Sequence, residues 1–382
     1  MEDALIAVIV FWSALAFLLY TYLGYPIVLW LRSCLRTRPV MKDKSYGPPI
    51  SILIVAHNEE KVIGRKLENT LNLNYQGERP EVLVASDGST DRTNEIVREF
   101  KDKGVSLLAF PNRRGKAQAL NEAIPQCGGE IIILSDARQT YASEAISELV
   151  ANFRDPKIGG VTGDLQFQAS PNSRGGEQIG LYWRYEKWIR RLQSDTDSIP
   201  VVTGAIHAIR KSLFRPLPAG VIADDLAIPM SIIMQGYRVV YDPTAKAYDA
   251  FPLTLKEEFR KRVRTIAGSY QYLGLVPRVF SPWSNRICLD VVFHKAFRIL
   301  APFALMALFT ANLSMTAWPY RVILFLQVAF YLSALVGALL ARRGEVPKAL
   351  SVPYTFLMLN AVACVAFYKL ATGAQTYLWE KE

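Results

Sequence analysis

The chain has 382 residues, 51% of them hydrophobic and 20% charged, and carries a formal net charge of +10. That length holds one large globular domain together with membrane helices, and the hydrophobic share excludes a disordered or fibrous chain. The positive charge does not indicate nucleic acid, because Lys and Arg crowd beside apolar stretches and in one late segment, a distribution suited to anionic lipid and phosphate-bearing ligands.

From Ala4 to Leu31 nearly every residue is apolar. Roughly 28 residues at about 1.5 Å each reach about 42 Å, enough to cross a ~30 Å hydrocarbon core with tilt. The stretch is too long for a signal-peptide core. With Glu2 and Asp3 ahead of it and no small-residue cleavage pattern behind, it predicts a retained anchor over 1–32. A basic linker over 33–49 carries Arg36, Arg38, Lys42 and Lys44, and Gly47-Pro48-Pro49 closes it.

A globular domain is predicted over 50–275. Ile50 to Ala56 reads as a buried strand, short, β-branched and bounded by breakers. A helical stretch follows over Glu60 to Leu71, then a strand Glu81 to Ser86, a helix from about Asp91 to Lys101 and a strand Val105 to Phe110. A helix Lys116 to Ala123 and a strand Glu130 to Ser135 come next. This alternation predicts a parallel α/β sheet, and the last strand delivers Asp136 at its carboxyl end, where open α/β sheets bind ligands. After about Asp155 the pattern loosens, with Gly159, Gly160, Gly163, Gly175 and Gly176 ahead of an amphipathic helix from roughly Glu177 to Leu192. A second sub-site is expected there.

Val276 to Lys295 mixes Phe280, Trp283, Ile287 and Phe293 with Arg278, Arg286 and Lys295, so 276–296 is expected to lie in the membrane interface. Three further spans are predicted within 297–382, at about Phe297 to Ala317, Val322 to Leu340 and Val352 to Ala371. Basic residues after the first span, and Arg342, Arg343 and Lys348 between the third and fourth, predict a catalytic domain on the cytoplasmic side of the plasma (inner) membrane. Cys34, Cys127, Cys288 and Cys364 are far apart and His57, His207 and His294 occur in unrelated contexts, so neither a zinc nor a redox site is expected.

Carboxylates and cations recur at the predicted strand ends and in the late basic segment. Asp87 ends a strand in SDGSTD, Asp136 follows another, and Asp224 and Asp225 are adjacent; Lys116 and the group Arg260, Lys261, Arg262 and Arg264 supply positive charge. Transfer from a diphosphate-bearing donor needs these types: a base for the attacking hydroxyl and cations for the leaving phosphate.

The segments SILIVAHNEE (Ser51 to Glu60), VLVASDGSTDRT (Val82 to Thr93) and PNRRGKAQALNEAI (Pro111 to Ile124) resemble family-two glycosyltransferases of the GT-A fold, in order and spacing as well as wording. The resemblance continues through SDA (Ser135 to Ala137), TGAIHAIR (Thr203 to Arg210), ADD (Ala223 to Asp225) and RKRVRTIAG (Arg260 to Gly268). One leading and several trailing spans around such a domain are similar to the arrangement of cellulose, chitin and hyaluronan synthases.

The resemblance implies an α/β GT-A domain, nucleotide-sugar-binding and Rossmann-like, with one N-terminal and about three C-terminal transmembrane helices. It implies inverting transfer of a hexosyl or N-acetylhexosaminyl group from a UDP-sugar to a lipid-linked or polysaccharide acceptor, in extracellular polysaccharide biosynthesis. Carried onto this sequence, Glu59 and Asp87 contact uridine, Lys116 lies near the nucleotide, and Asp136 stands beside the diphosphate and its Mg²⁺ or Mn²⁺. Asp225 matches the base, with Asp224 beside it in the substrate site, and Arg260 and Arg264 belong to the group that meets donor diphosphate and acceptor. Two motifs depart from the pattern. Of Q-x-x-R-W only Arg264 remains, with Lys261 and Thr265 in place of the usual Gln and Trp, which favours single addition over a processive synthase that exports its polymer. Of D-x-D, Arg138 replaces the second Asp and removes a metal ligand. These departures also keep open a catalytically silent, nucleotide-sugar-binding membrane scaffold.

Overall fold

The computed structural model describes residues 2–168, 180–250, 255–341 and 346–374. Gly175, Gly176, the first residues of the helix expected from Glu177, and Arg342 and Arg343 lie outside them.

Helix α1 (Glu2–Leu19), a π-helical turn (Tyr20–Gly24) and α2 (Tyr25–Leu35) follow one another without a break, and the apolar span runs over Leu5–Leu35. It passes the expected end at Leu31, and Pro26, which has no N–H to donate, follows the π-helical turn.

The sheet is built from β1 (Ile50–Ala56), β2 (Glu81–Asp87), β3 (Val105–Phe110), β4 (Ile131–Asp136), β5 (Thr140–Tyr141), β6 (Ile158–Gln168), β7 (His207–Arg210) and β8 (Arg238–Ala250), in the order β3-β2-β1-β4-β7-β6-β8-β5. Its first half is the expected parallel α/β unit, with α3 (Ile63–Leu71), α4 (Thr93–Glu99) and α5 (Lys116–Ala123) in the connections. The second half corrects the expectation of a parallel sheet. β7 runs antiparallel to β4 and β6, and β6, β7 and β8 extend the same sheet beyond α6 (Ala145–Ala151).

The glycines that loosened the sequence pattern are what let this happen. A Cβ on Gly159 would come within 2.6 Å of Ile232 Cγ2, and one on Gly163 within 2.4 Å of the Ala245 carbonyl. The missing side chains let α8 (Asp224–Met234) and the neighbouring strand approach.

The basic linker also differs from its expected role beside anionic lipid. Lys42 Nζ lies 2.5 Å from Glu148 and 2.7 Å from Asp242, Lys44 Nζ lies 2.5 Å from Glu148, and Arg38 pairs with Asp197. Arg32, on the membrane helix, lies 3.3 Å from Asp290. These cations strap the leading helix to the domain.

On the far side, α7 (Gly180–Thr196) packs Ile189 and Leu192 against Tyr25 and Leu29 of α2, and α9 (Leu255–Leu275) packs Val263 and Ala267 against Val362 and Ala366. After a turn at Pro277–Phe280, α10 (Cys288–Asp290) and a π-helical turn (Val291–Ala296) lead directly into α11 (Phe297–Leu313). The apolar span is therefore Cys288–Leu313, and the end of the segment expected along the interface belongs to a membrane helix. With α12 (Trp318–Ala341) and α13 (Lys348–Ala371), four helices among the described residues are long and apolar enough to cross a membrane.

Candidate active site

The carboxyl ends of β1, β2 and β4 open on one edge of the sheet, and two tight loops organise it. Asn58, at φ +53°, takes its N–H bond to Ser89 Oγ at 3.0 Å and accepts the Thr90 N–H at 2.8 Å, joining the loop after β1 to the loop after β2. Asp87 is wholly buried. Its Oδ1 and Oδ2 accept the N–H groups of Arg114 and Gly115, each at 2.8 Å. Gly88, at φ +64°, lets that loop come close: a Cβ there would lie 2.4 Å from the Arg113 nitrogen. These two bonds make Asp87 a positioning residue, while each carboxylate oxygen keeps a second acceptor site for the uridine contact expected from sequence. It sets the residue with which α5 begins.

That residue is Lys116. Its Nζ lies 2.9 Å from Asp136 Oδ1, at the end of β4, and 3.0 Å from Asp224 Oδ2, in the first turn of α8. Burial opposes the ammonium charge, but Asp136 and Asp224 outweigh it and hold the Lys116 pKa above the usual lysine value. Burial likewise works against the charge on Asp136, and Lys116 reverses it, keeping that carboxyl below its ordinary range. Asp225, next along α8, makes no ion pair among the described residues, and the more distant Lys116 only partly offsets its burial. Burial and then the charge on Asp224 push its carboxyl up to about 6. Its backbone carbonyl accepts the Val202 N–H at 2.9 Å, which fixes the start of α8 against the strand-leading segment 202–206.

Arg264 comes from α9, the helix that rests on the membrane spans. Its electrostatic neighbours are Asp224, Asp136 and Asp225, and its Nε is buried without a hydrogen-bond partner. Burial lowers its pKa. Lys116, Asp136, Asp224, Asp225 and Arg264 thus form one cluster. Arg260, a turn earlier on α9, is exposed. Glu59 stands apart from the cluster, its carboxylate 3.4 Å from Arg138 Nε.

Two residues take parts that the sequence did not assign to them. Arg138 departs from D-x-D not as an idle substitution but as the partner of Glu59. His207, at the start of β7 opposite Leu134, is buried with Nδ1 3.2 Å from the Thr203 carbonyl, and its Nε2 has no hydrogen-bond partner. Burial, then the charge on Lys116, push its pKa down to about 4, so it is a neutral imidazole near Asp136 and Asp224. Its place directly after TGAI, opposite the strand bearing Asp136, was the available signal.

A divalent cation in this cleft would need hard oxygen donors. Among the described residues no group of three His, Cys, Asp or Glu side chains is placed to hold a metal. Asp136 offers one usable oxygen: Oδ1 is given to Lys116, while Oδ2 faces Gly204, where an added Cβ would come within 3.6 Å. The residues therefore fit a cation that arrives with donor phosphate oxygens and takes a single carboxylate from the protein.

The mixed sheet with this edge is of the GT-A type, and four helices among the described residues are long and apolar enough to cross a membrane. The profile of glycosyl transferase family 2 matches residues 51–217. A probable glycosyltransferase of Bacillus subtilis, YdaM, is 30% identical over 288 residues, covering 70% of this chain and 67% of the relative. Poly-beta-1,6-N-acetyl-D-glucosamine synthase of Staphylococcus aureus is 29% identical over 229 residues, 59% of this chain and 55% of that protein, so the chain spans about half the length of that relative. The mannosyltransferase PcManGT from Pyrobaculum calidifontis, solved with GDP-Man and Mn²⁺, shares the fold across 98% of this chain and 100% of its own, with a TM-score of 0.73 at 23% identity. The chain belongs to glycosyl transferase family 2.

Proposed function

We propose that the protein transfers a sugar, with inversion, from a UDP-sugar to a lipid-linked or growing saccharide acceptor at the cytoplasmic face of the plasma membrane, in extracellular polysaccharide biosynthesis. The observation that carries this reading is the junction of Lys116 with Asp136 and Asp224, with the carboxylate of Asp225, its pKa raised by burial, beside it. Lys116 and Arg264 bind and neutralise the donor diphosphate. Asp136 would hold an accompanying Mg²⁺ or Mn²⁺, and such a cation would supply further positive charge to the leaving group. Glu59 and Arg138 flank the nucleotide, and Arg260 meets the acceptor side. Asp225 removes the proton of the attacking hydroxyl, a contribution of about 10²- to 10⁴-fold.

The similarity to a polysaccharide synthase favours a processive, exporting enzyme as the second reading. Thr265 in place of an aromatic platform favours single addition.

The test is nucleotide release by the purified protein in lipid discs across a panel of UDP-sugars. GDP-sugars belong in the panel because the mannosyltransferase of like fold was captured with GDP-Man. Release from one donor, lost in Asp225→Asn while donor binding persists, supports the assignment; full turnover in Asp225→Asn rejects it. Binding without turnover in the unaltered protein, with acceptor supplied, would leave the silent scaffold.

A further inference from the structure

On its membrane side, the neighbourhood of Asp225 holds cations that donor binding does not use. Helix α7 carries Glu186 and Arg190 one turn apart, on one face. Glu186 is buried and already engaged, by Arg298 Nη1 of α11 and by His294 Nε2 at 3.5 Å. Gln193, a turn beyond Arg190, meets His294 Nδ1 at 3.1 Å, so α7 and the π-helical turn of the membrane helix are held together on both sides of Arg190.

Arg190 Nη1 donates to Thr203 Oγ1 at 2.8 Å, and the preceding Val202 is the residue whose N–H meets the Asp225 carbonyl. Lys295 follows His294 in the π-helical turn. It lies within electrostatic reach of Asp225, Glu186, Arg190 and Arg298, yet it makes no hydrogen bond or ion pair among the described residues. Among the described residues Arg298 keeps Nε and Nη2 buried without hydrogen-bond partners, although Nη1 is taken by Glu186 and the guanidinium lies 5.4 Å from the centroid of the Tyr185 ring.

The charges decide what this space accepts. Lys295, Arg190 and Arg298 are set against Glu186 and Asp225, which leaves a cation in excess among the described residues, because Lys116 already serves Asp136 and Asp224. Cations left unpaired in a partly buried pocket are costly until an anion meets them, and ionisable residues at a membrane helix mark function more than packing. π-helical turns concentrate at such sites. The position also separates this group from the donor: Lys295 and Arg298 belong to a membrane helix, not to the strand ends.

We propose that Lys295, Arg190 and Arg298 form a phosphate subsite for the acceptor, so that the hydroxyl presented to Asp225 belongs to a saccharide carrying a nearby phosphate. This rests on Asp225 as the base and deepens that assignment by fixing the acceptor as anionic. The phosphate belongs either to a lipid carrier embedded in the bilayer or to a soluble phosphorylated acceptor.

The full chain, purified in neutral detergent, is titrated with a polyprenyl monophosphate, the corresponding polyprenol and inorganic phosphate, with binding read by native mass spectrometry. The monophosphate should bind and the polyprenol should not. Lys295→Gln should weaken binding about ten- to a hundredfold, as loss of one charge-assisted contact does, and Lys295→Arg should restore most of it. Nucleotide-sugar binding, measured on the same samples, should stay unchanged in all three proteins, which separates failure of the subsite from failure of the donor site. Arg190→Gln is the second variant should Lys295→Gln melt early. Competition by inorganic phosphate at equal concentration supports the subsite and assigns it to a soluble acceptor. Equal binding of the polyprenol, absence of binding by either phosphate, or wild-type binding in both Gln variants overturns the proposal.

Discussion

Lys116 Nζ stands 3.0 Å from Asp224 Oδ2 while it also holds Asp136, so one amine joins the end of β4 to the first turn of α8. The order of events in the chain explains how it gets there. Asp87 clamps the loop that ends at Gly115, α5 starts at the next residue, and the side chain is delivered between two carboxylates from distant parts of the sequence.

Lys116→Met should remove donor binding and also destabilise the domain. Asp136 and Asp224 would lose the charge that compensates them, at a cost of about 1–3 kcal/mol because the site is only partly shielded from water. Lys116→Arg keeps the charge and should retain a measurable fraction of donor affinity. Melting curves and nucleotide-sugar titrations of both variants check this, and wild-type donor affinity in Lys116→Met would remove the lysine from the donor site.

The rate should depend on pH through Asp225. Its carboxyl is pushed up to about 6, by burial first and by Asp224 second, and only the ionised form accepts a proton. Activity is therefore full above that value and falls as pH drops through it, to about a tenth of the plateau one unit below. His207 cannot produce this limb, since its pKa is pushed down to about 4. Initial rates across the acid range, taken where chemistry limits turnover, give the measurement; a flat profile through pH 6 counts against Asp225 as the base.

The parallel half of the sheet was legible because each strand is a short apolar run between breakers and each helix has its own period. The second half was not. β6 contains Gly159, Gly160 and Gly163, which read as a loose connection, although their missing side chains are what admit α8 and β8. Asp136, Asp224, Asp225 and Arg264 could be listed from motifs, but their meeting depends on contacts between residues far apart in sequence. The same limit hid the linker cations. Lys42 looks like a lipid-facing residue until Glu148 and Asp242 are folded against it. Lys295 was read as one of several interfacial basics, because nothing local shows that a π-helical turn sets it toward Asp225.

Arg138→Asp should increase dependence on a divalent cation. The substitution breaks the pair with Glu59 and places a second carboxylate two residues from Asp136, in the D-x-D spacing that binds hard cations. The Mn²⁺ concentration for half-maximal rate should fall, and chelator should inhibit the variant more completely than the wild type. Equal metal profiles would show that position 138 lies outside the cation's reach.

Gly159→Ala should disturb the site from a distance. A Cβ at this position would lie 2.6 Å from Ile232 Cγ2, 2.7 Å from Leu213 Cδ1 and 2.8 Å from Tyr237 Cβ. The two methyl groups sit at side-chain ends and can turn, but Tyr237 Cβ is fixed to the backbone, so relief requires β6 to move away from α8. Overpacking of this kind costs about 1–3 kcal/mol. Because Ile232 lies on α8, the displacement passes along that helix to Asp224 and Asp225, and turnover should fall together with the melting temperature. Gly274→Ala is the control: no atom lies within 4 Å of its added Cβ, and it sits in the last turn of α9, where alanine is neutral or favourable. If Gly159→Ala melts and turns over like Gly274→Ala, the close approach of α8 to β6 does not hold the carboxylate pair in place.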